Sequence, residues 1–270
     1  MSRQWRLIND GPGDPAWNMA VDEALARVHN EQSGLPTLRL YTWDPPALSL
    51  GYFQKTGGIR FDELKRLGII PVRRITGGRS VLHFGDLTYS ITISCAGEMP
   101  AGVSASYRYL CRGLLAAFSI LGIDAGLGSE RAGRGASDAC FALSTGADIV
   151  FNGRKFVGSA QKRIGPLLLQ HGSILLRPQL EILGGIFEDG KMGNEEALSA
   201  KITCLEDILG RRIDPEEIGH TIVEGFARAL EVNLLPDSLT VSEMRVAHEL
   251  LDKYRWVSRQ GESQFAERQK

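Results

Sequence analysis

Asn152-Gly153 stands between two short runs of β-forming residues, 148–151 and 155–161. A pair of residues tolerant of positive φ, set between such runs, is the strongest local signal for a β-hairpin. An antiparallel pair is therefore expected past the middle of this 270-residue chain, and the fold must be built around a sheet. Further strand signals accompany it. Residues 37–43 alternate apolar and polar side chains, Pro45-Pro46 breaks the run, and 47–53 reads as the next strand. Residues 69–74, 81–94 and 167–176 are also rich in β-formers.

Helical periodicity surrounds these strands. Asp14-Pro15 supplies an N-cap acid and a proline at the first helical position. Trp17, Ala20, Val21, Ala24, Leu25 and Val28 then recur at helical spacing through residues 16–29. Residues 61–67 read as a short helix and 107–121 as a long one; from Pro178 onward the pattern is helical, best at 215–230 and 241–254. Strands first and helices later predict an α+β fold, a mixed β-sheet domain over 1–235 with a helical C-terminal extension over 236–270. The last dozen residues of that extension are expected to be solvated.

Composition excludes several classes. With 43% apolar and 23% charged residues the chain reads as globular. Its 31 basic and 32 acidic side chains leave a net charge of −1, which gives no field for nucleic acid. No apolar run approaches the ~20 residues that span a bilayer, and residues 1–10 lack the apolar core of a signal peptide. Cys95, Cys111, Cys140 and Cys204 form no C-x-x-C pair, which argues against a zinc site and a disulfide framework. No metal is expected, and a reducing cytoplasm is the expected location.

Four segments can carry chemistry. In Arg73-Arg74-Ile75-Thr76-Gly77-Gly78-Arg79, followed by His83, the glycines let backbone approach a ligand. The arginines there can donate to a carboxylate, phosphate or carbonyl; a turn with a solvated basic rim is the plainer reading. Gly153-Arg154-Lys155-Phe156-Val157-Gly158-Ser159-Ala160-Gln161 is expected to put Lys155, Val157 and Ser159 on one strand face. A partly desolvated ammonium there would stabilise an anion or lose its own proton more easily; otherwise the lysine snorkels to water. Cys140 lies in a glycine-rich stretch, 124–147, expected to be a long flexible loop. A free thiol with a pKa of about 8.5 is a weak nucleophile until a nearby cation lowers it. Cys95 and Cys111 fall in a strand and a helix as packing residues, while Cys204 stays unplaced. Gln170-His171-Gly172-Ser173 offers a histidine that is an acid, a base or a structural hydrogen-bonding group. The phosphate-loop spacing of Gly185-Ile186-Phe187-Glu188-Asp189-Gly190-Lys191 is rejected, because Met192 stands where Ser or Thr would hold magnesium.

Taken in chain order, Asn18-Met19-Ala20 with Asp22-Glu23, Pro36-Thr37-Leu38-Arg39-Leu40, Arg73 to Gly78, Gly153-Arg154-Lys155, Gly158-Ser159-Ala160-Gln161 and His171-Gly172-Ser173 resemble the biotin/lipoate protein ligase superfamily. Thr76-Gly77-Gly78-Arg79, Leu87-Thr88-Tyr89-Ser90 and Cys140-Phe141 look closer to acyl-carrier-dependent octanoyltransferases of the LipM type. ATP-dependent lipoate ligases typically carry a third glycine where this chain has Arg79. Phe84-Gly85 follows His83 where many relatives have an aspartate.

The resemblance implies a catalytic domain of the biotin/lipoate ligase type that works without a cofactor. Octanoyl would pass from acyl carrier protein to Cys140 as a thioester, then to a lysine of a lipoyl-domain protein such as the glycine-cleavage H protein. Lys155 would lower the thiol pKa and is the first candidate base, ahead of His83 and His171. Arg74, Thr76, Gly77, Gly78, Arg79, His83, Gly158, Ser159, Ala160 and His171 would bind substrate. An ATP-dependent lipoate ligase, an amidotransferase between two lipoyl-domain proteins and a catalytically silent binding protein are the alternatives.

Overall fold

A computed structural model describes residues 3–29, 34–96, 99–128, 148–188 and 195–256. β1 (Arg3–Gly13) leads into α1 (Pro15–Val28), then β2 (Thr37–Trp43), β3 (Ala47–Leu50), α2 (Phe61–Arg66), β4 (Ile70–Arg73) and β5 (Val81–His83). β6 (Asp86–Ser94), α3 (Val103–Ile120), β7 (Gly126–Leu127), β8 (Ile149–Phe151), β9 (Arg154–Ile164) and β10 (Leu167–Leu175) follow. The chain continues through α4 (Leu180–Ile186), α5 (Glu195–Ser199), α6 (Leu205–Leu209), α7 (Pro215–Leu230), β11 (Val232–Pro236) and α8 (Val241–Tyr254).

The large sheet is mixed, in the order β11-β1-β2-β6-β10-β9-β8-β7; a small sheet, β4-β3-β5, lies apart. β1 runs parallel to both its neighbours, and the other pairs of the large sheet are antiparallel. Asn152 and Gly153 both take positive φ, 49° and 75°, as a two-residue turn between twisted strands requires. Three strands escape the sequence pattern: β1 and β11, which pair with each other at one edge where little alternation is imposed, and the two-residue β7 inside the stretch expected as a loop. The run expected at 81–94 is broken at Phe84-Gly85, so β5 joins the small sheet and β6 the large one. The strand expected at 47–53 stops at Leu50, because Gly51 and Tyr52 turn toward the loop of Thr76.

Helices cover both faces. α3 and α7 close one side over Leu38, Leu40, Tyr89, Ile91, Phe118, Phe156 and Phe226. The two helices approach so closely that a Cβ on Gly225 would lie 2.5 Å from the backbone nitrogen of Ala117. On the other side α1 packs against Ile8, Tyr41 and Leu169, with α8 outside it. Asp14 caps α1 by accepting from the amides of Ala16 and Trp17. α8 opens with a capping box of Thr240 and Glu243. Glu243 also pairs with Arg6 at 2.6 Å, and Glu23 of α1 accepts from Lys253 and Tyr254. Among the described residues, no helix is long and apolar enough to cross a membrane.

Phe226 is fully buried and packs against Gly113 and Trp5 across this interface. Phe226→Ala is expected to lower stability by about 3–5 kcal/mol, read from urea denaturation.

Candidate active site

Leu87, Tyr89 and Ile91 of β6 enter the α3–α7 core, so Asp86, Thr88 and Ser90 face the opposite side. Register carries that face across the sheet. Tyr41, Thr88, Ser173 and Gly158 form one row, and Arg39, Ser90, His171 and Ala160 the next. The small sheet and its following loop lie over these rows with Ser49, Arg74, Val81 and His83, and α1 adds Met19. Together they enclose a slot with about 380 Å³ of atom-free space, including its open mouth.

The slot's polar side chains are joined to one another. Asp22 of α1, buried, accepts from Arg39 Nη1 at 2.8 Å, Ser90 Oγ at 2.8 Å, Tyr41 Oη at 2.9 Å and His171 Nδ1 at 3.0 Å. Burial pushes this carboxyl up, but the His171 hydrogen bond and the Arg39 charge more than reverse the effect and hold it below the usual carboxylate value. Burial also lowers the His171 pKa, despite Asp22. His171 is therefore a neutral imidazole whose Nδ1–H donates to Asp22 and whose Nε2 accepts from Thr76 Oγ1 at 2.7 Å.

A second chain ends on Asp86. Its Oδ2 accepts from Ser173 Oγ at 2.6 Å, His83 Nδ1 at 2.8 Å and Thr88 Oγ1 at 3.2 Å. Arg74 Nη1 can only donate, so Ser49 Oγ accepts from it at 3.2 Å and gives its own proton to His83 Nε2 at 2.8 Å. Likewise the Trp43 indole N–H donates to Thr88 at 2.8 Å, and Thr88 passes a proton on to Asp86. Trp43 also stacks on His83 with ring centroids 4.0 Å apart. With these atoms paired among themselves, the slot presents the rings of Tyr41 and Trp43, Met19, Val81 and Ala160 to an occupant.

Of the residues singled out by sequence, Arg74, His83, Gly158, Ser159, Ala160 and His171 line the slot. Thr76 sits just behind it on His171. Arg74 Nη2 binds the carbonyls of Gly77 and Arg79, so it holds the glycine loop in shape. Gly51 makes room for that loop, since a Cβ there would stand 1.8 Å from the Gly78 carbonyl oxygen. Gly77 itself has open space where a Cβ would go. Arg73 donates to the carbonyls of Gly51 and Gln54 at 2.7 and 2.8 Å, a structural use that the basic-rim reading did not anticipate.

Lys155 corrects an expectation. A register shift opposite Ile149 and Val150 puts an extra residue into β9. Phe156 and Val157 both enter the α3-side core, so Lys155 does not share a face with Val157 and Ser159. Its Nζ pairs with Asp148 Oδ1 at 2.9 Å. Both side chains are nearly fully buried, at 1% and 2% exposure. The Ser159 hydroxyl instead meets Tyr89 at 2.7 Å. Cys140 lies outside the described residues, as do most of the loop expected at 124–147 and the C-terminal dozen. Burial pushes the thiols of Cys111 and Cys204 up to about 12, which removes them as nucleophiles near neutral pH.

Sequence reasoning missed Asp22, Asp86 and Asp148 as organisers. For Asp22 a signal was present, a carboxylate on the apolar stripe of α1. Asp86 and Asp148 gave none, because an acid in a strand run reads as solvent-facing until the register is known.

Comparison with known proteins bears on this site. The lipoyl protein ligase A/B catalytic domain matches residues 14–227. Octanoyltransferase LipM of Kyrpidia tusciae is 40% identical over 262 residues, 93% of this chain and 96% of that protein. Octanoyltransferase LipM of Staphylococcus aureus is 36% identical over 275 residues, 96% of this chain and 100% of that protein. Among solved structures, lipoate-protein ligase A bound with ATP superposes with a TM-score of 0.77 at 26% identity, covering 93% of this chain and 95% of that one. Protein Ta0514 of T. acidophilum with bound lipoic acid gives 0.76 at 26% identity, with the same coverage.

The two buried carboxylate networks predict a pH response. A folded-state pKa below 6.5 for His171 means that the unfolded chain takes up a proton the folded site refuses. This share of stability is complete above 6.5 and falls as pH drops from there toward the folded pKa. The Asp22 share is lost only at lower pH, as the solution falls through its depressed folded pKa. His171→Gln is expected to make the decline in denaturation midpoint between about pH 7.5 and 5 shallower. Asp22→Asn, which leaves Arg39 uncompensated, is expected to cost about 3–5 kcal/mol at neutral pH.

Proposed function

The chain belongs to the lipoyl protein ligase A/B catalytic-domain family, and from that premise we propose that it moves octanoyl from acyl carrier protein, through a thioester on Cys140, to a lysine of a lipoyl-domain protein. It is an octanoyltransferase of protein lipoylation, like the relatives it matches over nearly its whole length. The observation that carries the mechanistic reading is a carbon-faced slot with a buried lysine, paired to a carboxylate, on the strand that borders it. The glycine-cleavage H protein is the expected acceptor, and the free thiols among the described cysteines suit a reducing cytoplasm.

The chemistry balances without a nucleotide. The Cys140 thiolate attacks the donor's thioester carbonyl; a new C–S bond forms, the carrier's C–S bond breaks, and the carrier leaves as its thiol after taking a proton. This exchange is nearly isoenergetic. The acceptor amine then attacks the acyl-enzyme, an amide bond forms, and Cys140 leaves; that step runs downhill. A covalent intermediate lets two bulky proteins visit one site in turn. The Lys155 ammonium favours the thiolate, and Asp148 supplies the counter-charge that a buried ammonium requires. The proton that the carrier's sulfur takes comes from the Lys155 ammonium, which leaves a neutral Lys155 to accept the proton of the incoming amine as Cys140 departs as thiolate.

Incubation with octanoyl-acyl carrier protein is expected to add one octanoyl mass at Cys140, removable with hydroxylamine. Cys140→Ser abolishes transfer and Cys95→Ala leaves it largely intact. Lys155→Met slows acylation near neutral pH by about 10- to 1,000-fold, the thiolate fraction lost with a neighbouring cation. An adduct on another cysteine, or transfer supported only by ATP with free octanoate, contradicts the reading.

A further inference from the structure

The slot runs across the strands, and its two ends are held differently. From Gly158 on β9 to Tyr41 on β2 it crosses β10 and β6, three interstrand gaps. At about 4.8 Å each these span roughly 14 Å. Lys155, three residues before Gly158, lies at the β9 end. Tyr41 and Trp43 stand at the β2 end, and Met19 joins them in the lining from α1, next to Asn18, whose side-chain amide binds the Thr42 carbonyl of β2.

Two of those three are locked. The Tyr41 hydroxyl donates to Asp22, and the Arg39 guanidinium lies 4.0 Å over its ring. Trp43 is held by Thr88 and by the His83 ring. Met19 is different: at 3% exposure it is held by packing alone, on an unbranched thioether chain that adapts to what it touches. The backbone beneath it is fixed. The Asn18 side-chain amide donates to the carbonyls of Gly13 and Thr42 at 3.1 and 3.0 Å, and Asp22 ties the next turn to the sheet. At this end, therefore, space is set by how far the Met19 side chain reaches.

We propose that Met19 sets the length of the acyl chain the enzyme accepts, as the deformable stop at the β2 end of the slot. The inference rests on the slot being the acyl site. An extended chain advances about 1.2 Å per bond, as extended backbone does, so octanoyl spans about 8 Å from carbonyl carbon to terminal methyl. Truncating Met19 to alanine removes three heavy atoms from the lining, room for about two more methylenes.

The test uses the full-length protein and carrier protein loaded with hexanoyl, octanoyl, decanoyl or dodecanoyl groups, with acylation of Cys140 read by mass spectrometry. Met19→Ala is expected to raise the decanoyl-to-octanoyl ratio of kcat/KM at least about tenfold, the discrimination a methylene-sized difference gives in an apolar pocket. Met19→Phe is expected to move preference toward hexanoyl, and Met19→Leu, which conserves volume, to keep the wild-type order. Calorimetry with free hexanoate through dodecanoate reads the slot without any donor. A shift in fatty-acid preference in Met19→Ala with no acylation of the wild type keeps the length stop and removes the transferase reading. Wild-type acylation with unchanged preference in both Met19→Ala and Met19→Phe overturns the length stop. Should Met19→Phe fail to fold, Met19→Ala against wild type decides alone.

Discussion

The Asp22 carboxylate is the point at which helix and sheet are made one body. It is buried beneath α1 and receives protons from side chains on β2, β6 and β10. Arg39 is fully buried and needs that negative charge, together with Asp10 at 2.6 Å, to be tolerable inside a protein. From Asp22 the order passes through a neutral His171 to Thr76 and so to the glycine loop. From Asp86 it passes through His83 and Ser49 to Arg74, which grips the same loop from its other end. The loop is thus suspended from two carboxylates on the sheet side of the slot.

Those chains also explain how a cavity lined by Ser49, Arg74, His83, Thr88, His171 and Ser173 would suit the fatty chain proposed for it. Polar groups left unpaired in such a site would demand water. Here their hydrogen bonds turn them toward one another, and the surfaces left for an occupant are ring faces and methyl groups. The reacting end needs the opposite property, a charge kept in a dry place. The extra residue in β9 breaks the alternation at Phe156, and Lys155 pairs with Asp148 just ahead of the neighbouring strand β8. Small departures from ideal sheet geometry therefore separate a greasy slot from an ionic one within a single strand.

Much of the fold was legible, and the exceptions have physical causes. The Asn152-Gly153 hairpin, α7 and α8 stood out because turn chemistry and caps are local signals. β1 and β11 were missed because their pairing joins residues more than two hundred positions apart. The break at Phe84-Gly85 was hidden inside a run rich in β-formers, and only the split into two sheets gives it meaning. At the site, Arg74, His83, Gly158 and His171 were found from their motifs, but the face occupied by Lys155 was misjudged because a bulge leaves no mark in the sequence. The acids that orient these groups come from α1 and from strand ends, and their roles exist only once the register brings them under the histidines.

The central claim is that the slot beneath the glycine loop holds the acyl chain with its carbonyl toward Lys155. A crystal structure of the octanoylated protein tests it most directly. The account predicts continuous density from Cys140 Sγ past Lys155, across β10 and β6, ending against Tyr41, Trp43 and Met19. Density for the chain in any other cavity, or a thioester sulfur beyond the reach of the Lys155 ammonium, contradicts it.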